Sequence, residues 1–183
     1  MANYTGPGRT WKLDTAGIIT EKPVLIQKAI IYPNSAGDSA LFVSWDNGST
    51  PTQTKTNETM TSVNGQEFES TGNWPTTTIN PGQIVKFTGT STGNNERTFL
   101  IATNADNNNI TVDAAQDPTE EDGKIYNWKV YEPVTEFKIQ SPGTEVIAWE
   151  IDFAGHGHRR GRYFPNLAMD DLSASAVVHL FIG

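Results

Sequence analysis

The chain has 183 residues, of which 36% are apolar and 19% are charged, and this length suits one large β domain or two small ones. The net charge of −8 argues against a free-standing nucleic-acid-binding protein, because such proteins present a basic surface to phosphate groups. The absence of cysteine excludes disulfides, thiol nucleophiles and Cys-ligated zinc.

The ends and the hydropathy of the chain bear on its compartment. Residues 1–8 (MANYTGPG) lack the apolar centre of a signal peptide. No apolar run approaches the roughly 20 residues of a membrane-spanning helix. We therefore expect a protein that is made and kept soluble in a reducing cytoplasm, with no membrane partner.

The first part of the chain carries strand patterns. Residues 10–14 alternate in polarity, residues 24–32 are rich in β-branched side chains, and residues 40–45 are apolar. Turn-forming residues 34–38 predict a hairpin loop between the second and third strands. Residues 49–62 are Thr-rich and polar, which fits an edge strand, a loop or a linker.

A second compact run begins near Phe68. Its four predicted short strands, separated by Asn- and Gly-rich connections, are residues 84–88, 98–102, 110–113 and 126–131. These strands predict a small β-barrel or meander.

Strand patterns return after Pro133. Residues 135–140 and 145–153 alternate in polarity, and residues 176–182 form a nearly continuous apolar strand. Residues 167–172 fit one helical turn or a bend. Ten prolines and sixteen glycines leave few windows for helices, so the predicted fold is all-β.

The simplest architecture combines the two ends of the chain. Residues 1–63 and 133–183 are predicted to form a jelly-roll-like β-sandwich, and residues 64–132 to form a β module inserted into one of its loops. Such an insertion is inexpensive, because loop-closure entropy grows slowly with loop length.

Candidate chemistry is sparse. His156 and His158, with Asp152 nearby, lack a third ligand at a zinc-motif spacing, and His179 is interpreted as a packed or edge-strand residue. No nucleophile elbow, P-loop or dinucleotide fingerprint is present. We therefore predict no metal, no cofactor and no enzymatic activity.

Other polar and aromatic groups have a structural and a functional interpretation. The acidic run 120–122 is interpreted as a solvated tip, and Asp170-Asp171 as a turn cap. Oxygen-rich residues 46–48 and 106–109 fit calcium loops but are favoured as β-turns. The five tryptophans leave two options open. Trp45, Trp74 or Trp128 fits a sugar-stacking platform, and core packing explains Trp11, Trp128 and Trp149 equally well.

Two stretches resemble structural proteins of tailed-bacteriophage virions. The first comprises residues 11–17 (WKLDTAG), 23–30 (PVLIQKAI) and 36–38 (AGD). The second comprises residues 81–90 (PGQIVKFTGT), 94–101 (NNERTFLI) and 110–113 (ITVD). It is similar to a β module of such proteins, although Gln83 stands where Asp is usual.

This resemblance implies a β-sandwich-like, homo-oligomeric virion protein, with a trimer among the options, that performs no reaction. It implies a capsid decoration or cement protein on the capsid surface, bound to the major capsid protein after synthesis in the host cytoplasm. A neck, tail or fibre-associated protein and a host-glycan-binding module are the alternatives.

Capsid contacts are predicted at the basic residues of the N-terminal arm 1–9 and of the loop 155–162. These contact residues are Arg9, Arg159, Arg160 and Arg162. Three close positive charges in an acidic chain can anchor a loop on an acidic partner, and they also fit a solvated loop.

Overall fold

A computed structural model describes residues 10–45, 50–88, 94, 96–104, 106–113, 116, 118–154 and 161–183, without the side chains of residues 61 and 62. All of the elements assigned in these residues are β-strands, so the predicted all-β fold is confirmed. The described ranges contain no helix long and apolar enough to span a membrane. The chain divides into two compact units, residues 1–44 with 134–183 and residues 45–133.

The first unit is a β-sandwich, as predicted. Its strands in chain order are β1 (Thr10–Leu13), β2 (Gly17–Thr20), β3 (Val24–Tyr32), β4 (Ser39–Ser44), β11 (Val134–Gln140), β12 (Trp149–Asp152), β13 (Arg162–Phe164), β14 (Leu167–Leu172) and β15 (Val177–Ile182). A five-stranded sheet has the order β1-β15-β3-β12, with β13 also paired to β3. A four-stranded sheet has the order β11-β4-β14-β2.

β3 is the strand around which the five-stranded sheet is built. It pairs antiparallel with β15 along one edge, and with β12 and then β13 along the other. Its side chains alternate between the core and the outer face, since Ala29 and Ile31 are fully buried whereas Ile30 and Tyr32 are not. Pro33 follows Tyr32 and ends the strand, because proline has no N–H for the ladder.

The sandwich core lies between the two sheets and is rich in phenylalanine. Phe42 of β4 stacks on Phe137 of β11 with ring centroids 4.4 Å apart. Phe153 and Phe164 make edge contacts with the same cluster. This shared cluster of buried side chains holds the two sheets together through burial of apolar surface.

The second unit is a closed barrel with the strand order β10-β5-β6-β9-β8-β7. These strands are β5 (Gln53–Asn64), β6 (Glu67–Glu69), β7 (Ile84–Thr88), β8 (Thr98–Thr103), β9 (Asn109–Val112) and β10 (Glu121–Tyr131). The sequence predicted either a barrel or a meander, and the structure shows a barrel. Closure removes the unpaired strand edges that an open sheet of this size would expose.

Aromatic side chains fill the barrel. Trp74 and Trp128 are both fully buried and stack with ring centroids 4.7 Å apart. Phe87 contacts Phe68 and Tyr126 at centroid distances of 4.6 and 5.2 Å. A small barrel of short strands is thus stabilised by a few large side chains, each worth a few kcal/mol of burial.

The boundary of the inserted unit differs from the prediction. The unit begins at Trp45 and not at residue 64, because β5 pairs along β10 and so belongs to the barrel. Polar, Thr-rich residues form this strand because its outer face is exposed to solvent. On the C-terminal side, the observed end at Pro133 lies next to the predicted end at residue 132.

Residues 167–172 were expected to form a helical turn or a bend, and this expectation is wrong. They form β14, which pairs with both β4 and β2 and is therefore a central strand of its sheet. Asp170 and Asp171 lie within this strand, so their interpretation as a turn cap is also wrong. A register shift between Met169 and Asp171 accommodates the acidic pair.

Replacing one partner of the tryptophan stack tests the barrel core. Trp128→Ala is expected to lower the free energy of unfolding by about 3–5 kcal/mol, because it leaves a cavity among fully buried side chains. Trp149→Ala is the matched control, since Trp149 is 50% exposed, and it should cost less than about 1 kcal/mol. Urea unfolding followed by circular dichroism measures both, and equal losses would contradict the assigned burial.

Candidate protein-contact surface

Of the four predicted basic contact residues, only Arg162 lies within the described residues. Arg9, Arg159 and Arg160 lie outside the described residues, as do His156 and His158. Arg162 is described, and it opens β13. The role of all four arginines in capsid contact therefore stays a sequence-based prediction, and the structure adds the surroundings of Arg162.

Arg162 is held by the sandwich itself. Its Nη2 lies 2.7 Å from the Glu136 Oε2 atom, and its Nη1 donates to the Glu136 carbonyl oxygen at 3.2 Å. The guanidinium also lies over the Phe164 ring, 5.0 Å from its centroid. Arg162 thus links β13 to β11, and an acidic partner would have to replace this ion pair.

Gly161 sets the position of Arg162. Its φ of +103° is a conformation that residues with a Cβ rarely adopt, and an added Cβ would lie 2.4 Å from the Ile26 carbonyl oxygen. The close approach of backbone to backbone lets β13 pair with β3 directly after the loop.

Gly161→Ala should therefore destabilise the sandwich by about 2 kcal/mol or more, through backbone strain and steric overlap with Ile26. Gly143→Ala is the matched control, because nothing lies within 4 Å of its added Cβ. Thermal unfolding of both variants tests this difference. An unchanged melting temperature for Gly161→Ala would contradict the described path of the chain.

The side-chain oxygens of the loop before β9 accept hydrogen bonds from backbone N–H groups in and around the turn. Asp106 Oδ1 accepts the backbone N–H groups of Asn108 and Asn109 at 2.7 and 3.2 Å. Asn107 Oδ1 accepts the Thr76 N–H at 3.0 Å, and Asn108 Oδ1 accepts that of Gly72. These bonds are the turn chemistry that the sequence favoured. The other oxygen-rich run, residues 46–48, lies outside the described residues.

The acidic run 120–122 was expected to be a solvated tip, but it is only partly solvated. Glu121 begins β10, and its Oε1 accepts hydrogen bonds from the Tyr126 hydroxyl at 2.5 Å and from Asn94 Nδ2 at 3.1 Å. Asn94 is fully buried and also donates to the Thr119 carbonyl oxygen at 2.7 Å. Glu121 therefore belongs to a polar network that fastens the chain before β10 to the barrel.

Of the two options for the tryptophans, core packing is confirmed for Trp128, which is fully buried, and for Trp11, which packs against the sandwich core. Trp45, Trp74 and Trp128 are all buried, so none of them is a sugar-stacking platform. Trp149 was assigned to core packing and is instead half exposed. It lies opposite Ile31, on the core side of its sheet, but β12 ends the order of that sheet and leaves the ring uncovered.

The outer face of the five-stranded sheet carries apolar side chains among charged ones. The strand register places Ile30 between Glu150 and His179, with Lys12 beyond His179. We use the term apolar face for four residues that are exposed or half-buried on this side: Ile30, Tyr32, Val177 and Phe181. Outer faces of sandwich sheets are normally polar, so this composition suits contact with another molecule.

A second exposed apolar element adjoins this face. The alternating pattern predicted a strand over residues 145–153, but β12 spans only Trp149–Asp152. The reason is that β3 ends at Tyr32, so within the described part of the chain the residues before Ala148 have no position of β3 to pair with. We use the term edge segment for residues 144–149, all of which are exposed, with Val146 at 57% and Ile147 at 45%.

A shallow groove connects the edge segment to the apolar face. Its lining residues are Ile30, Tyr32, Ala148, Trp149 and Glu150. The Lys28 ammonium lies 3.2 Å from the Glu150 carboxylate. The charged residue of the groove lining is thus paired within the chain, although the whole protein is acidic.

His179 is half-buried on the outer face, in β15, which pairs with β1 on one side and β3 on the other; of the packed and edge-strand interpretations, the edge-strand one is therefore wrong. Its ring contacts that of Tyr32, with a centroid distance of 4.9 Å. Burial lowers the pKa of His179 below its usual value, and the charge of Lys12 lowers it further.

Stability should therefore depend on pH through His179. The unfolded chain binds a proton near the ordinary pKa of about 6.5, whereas the folded chain resists it, so stability is full above that pH and falls as the pH drops below it. His179→Gln should flatten the dependence of the unfolding midpoint between about pH 7.5 and 5.5. An unchanged slope in this variant would contradict the described environment of His179.

Comparison of the chain with protein-family models, with curated proteins and with solved structures finds no match. In the described ranges, no group of three or more His, Asp or Glu side chains is placed to hold a metal ion. The surface formed by the apolar face, the groove and the edge segment is suited to packing against protein, since it joins exposed aromatic and aliphatic area to a free strand edge.

Proposed function

We propose that this chain is a structural protein of a tailed-phage virion, and specifically a decoration protein that binds the major capsid protein on the outer surface of the head. The observation that carries the proposal is the open apolar surface of the sandwich, with Tyr32 and Trp149 43% and 50% exposed. Exposed aromatic side chains at the centre of a patch commonly dominate binding energy between proteins.

Two further features support a role on a particle. The motifs at residues 11–17, 23–30 and 81–90 resemble those of virion proteins. The net charge of −8 keeps many copies soluble before assembly. On a shell that offers many identical sites, a modest contact per copy is sufficient, because an oligomer engages several sites at once.

The predicted basic contacts fit the same proposal. Arg9, Arg159, Arg160 and Arg162 would add charge-assisted contacts to an acidic patch of the shell. Arg162 would do so only by exchanging its bond to Glu136 for one to the partner. The apolar face therefore carries more of the proposal than the basic loop does.

A neck, tail or fibre-associated protein is the structural alternative, and copy number separates the two. The glycan-binding alternative called for exposed aromatic side chains on the inserted unit. In that unit Trp74, Tyr126, Trp128 and Tyr131 are buried, and the exposed tryptophan lies on the sandwich. Glycan binding would therefore fall to Tyr32 and Trp149 and not to the barrel.

Binding to heads that lack this protein tests the proposal. The purified chain should co-sediment with such heads and saturate at many copies per head. Tyr32→Ser should weaken binding about tenfold or more, since it removes an exposed aromatic side chain of the apolar face. The matched control Val134→Ser, which changes a side chain 56% exposed on β11 in the other sheet, should bind like the wild type.

The outcomes are distinct. Failure of the wild-type chain to bind heads would overturn the decoration proposal. Equal binding by the wild type and Tyr32→Ser would remove the apolar face as the contact surface.

A further inference from the structure

The edge segment is strand-like in sequence, but only its last residue, Trp149, has a strand partner among the described residues. Residues 144–149 read TEVIAW, with β-branched and aromatic side chains that favour strands. Residues 144–148 lead directly into β12 but precede its first paired residue, Trp149. An apolar strand edge left open in this way offers a row of backbone donors and acceptors to another strand.

We infer that the edge segment pairs with the edge segment of a second copy of this chain, so that two five-stranded sheets join into one continuous sheet. The inference deepens the proposed function, because it assigns the homo-oligomeric contact of a virion protein. It does not depend on that function, since self-association is measurable without a capsid.

The sequence of the segment is compatible with itself. A two-fold axis perpendicular to the sheet places a residue opposite its own copy, and centring it on Ile147 pairs Val146 with the Ala148 of the second copy. Glu145 then lies opposite Trp149 and not opposite another carboxylate. No like charges face each other, which removes the usual penalty of pairing two acidic chains.

The local charge supports a second copy as the occupant. Glu150 is neutralised by Lys28 at 3.2 Å, so Glu145 is the single charge within the edge segment itself. A net charge of −8 repels a second copy at most other approaches, and a nearly neutral strip is where two copies meet at least cost.

The neighbouring groove supplies additional contact area. Pairing of about six residues covers a strip roughly 20 Å long, whereas a stable interface buries roughly 1,200–2,000 Å² in total. The groove between Tyr32 and Trp149 opens beside the segment and can receive apolar side chains of the second copy. The interface therefore combines strand pairing with burial of the exposed tryptophan.

Because the chain contains no cysteine, a single substitution reports the contact directly. Ile147→Cys should form a disulfide-linked dimer under mild oxidation, since residues directly opposite in an antiparallel pair lie within the Cα–Cα range of a disulfide. Val134→Cys is the matched control, because Val134 lies in the other sheet and is at least as exposed as Ile147 (56% against 45%), and it should stay monomeric.

Sedimentation velocity of the unmodified chain provides a second measurement. The wild type should self-associate with rising concentration. Val146→Lys should raise the dissociation constant about tenfold or more, whereas Val134→Lys should not, although the two valines are 57% and 56% exposed. Circular dichroism checks that each variant is folded.

A wild-type chain that stays monomeric at about 100 μM would overturn the inference, as would equal oxidation of the two cysteine variants. These failures differ from failure of the proposed function. A chain that self-associates but does not bind heads contradicts decoration alone, and a monomer that binds heads contradicts the edge pairing alone.

Discussion

The pairing of β4 with β11 is the constraint on which the rest of the fold depends. Ser44 and Val134 lie opposite each other in that ladder, and the whole barrel unit is contained in the chain between them. Because the two ends of the insert leave from adjacent points of one sheet, a large unit is accommodated without separating the sandwich strands. The same ladder positions Phe42 on Phe137, and so couples strand register to the core.

Much of this architecture could be predicted from local patterns. The run at residues 24–32 coincides with β3, and residues 84–88 coincide with β7, because β-branched runs between turn residues are reliable strand signals. Local patterns left β5 open between an edge strand, a loop and a linker, and they missed β14 as a strand. A Thr-rich polar strand and an acidic pair inside a strand are stabilised by their partners in the sheet, which local patterns do not show.

The candidate contact surface could be predicted from the sequence only in part. Alternation predicted a strand over residues 145–153, of which only residues 149–152 form β12. The exposure of Trp149 follows from the place of β12 at the end of the strand order, which depends on topology. The burial of Trp45 and Trp74 likewise follows from tertiary packing. What links fold and proposed function is that β3 ends at Tyr32, which leaves an apolar edge beside an apolar face.

The measurement that tests the central claim most directly is the ratio of this protein to the major capsid protein in purified virions, followed after selective removal of tails. A decoration protein should be present in many copies per particle and should stay with the tail-free heads. A few copies per particle that leave with the tails, or no copies in the virion, would contradict the account.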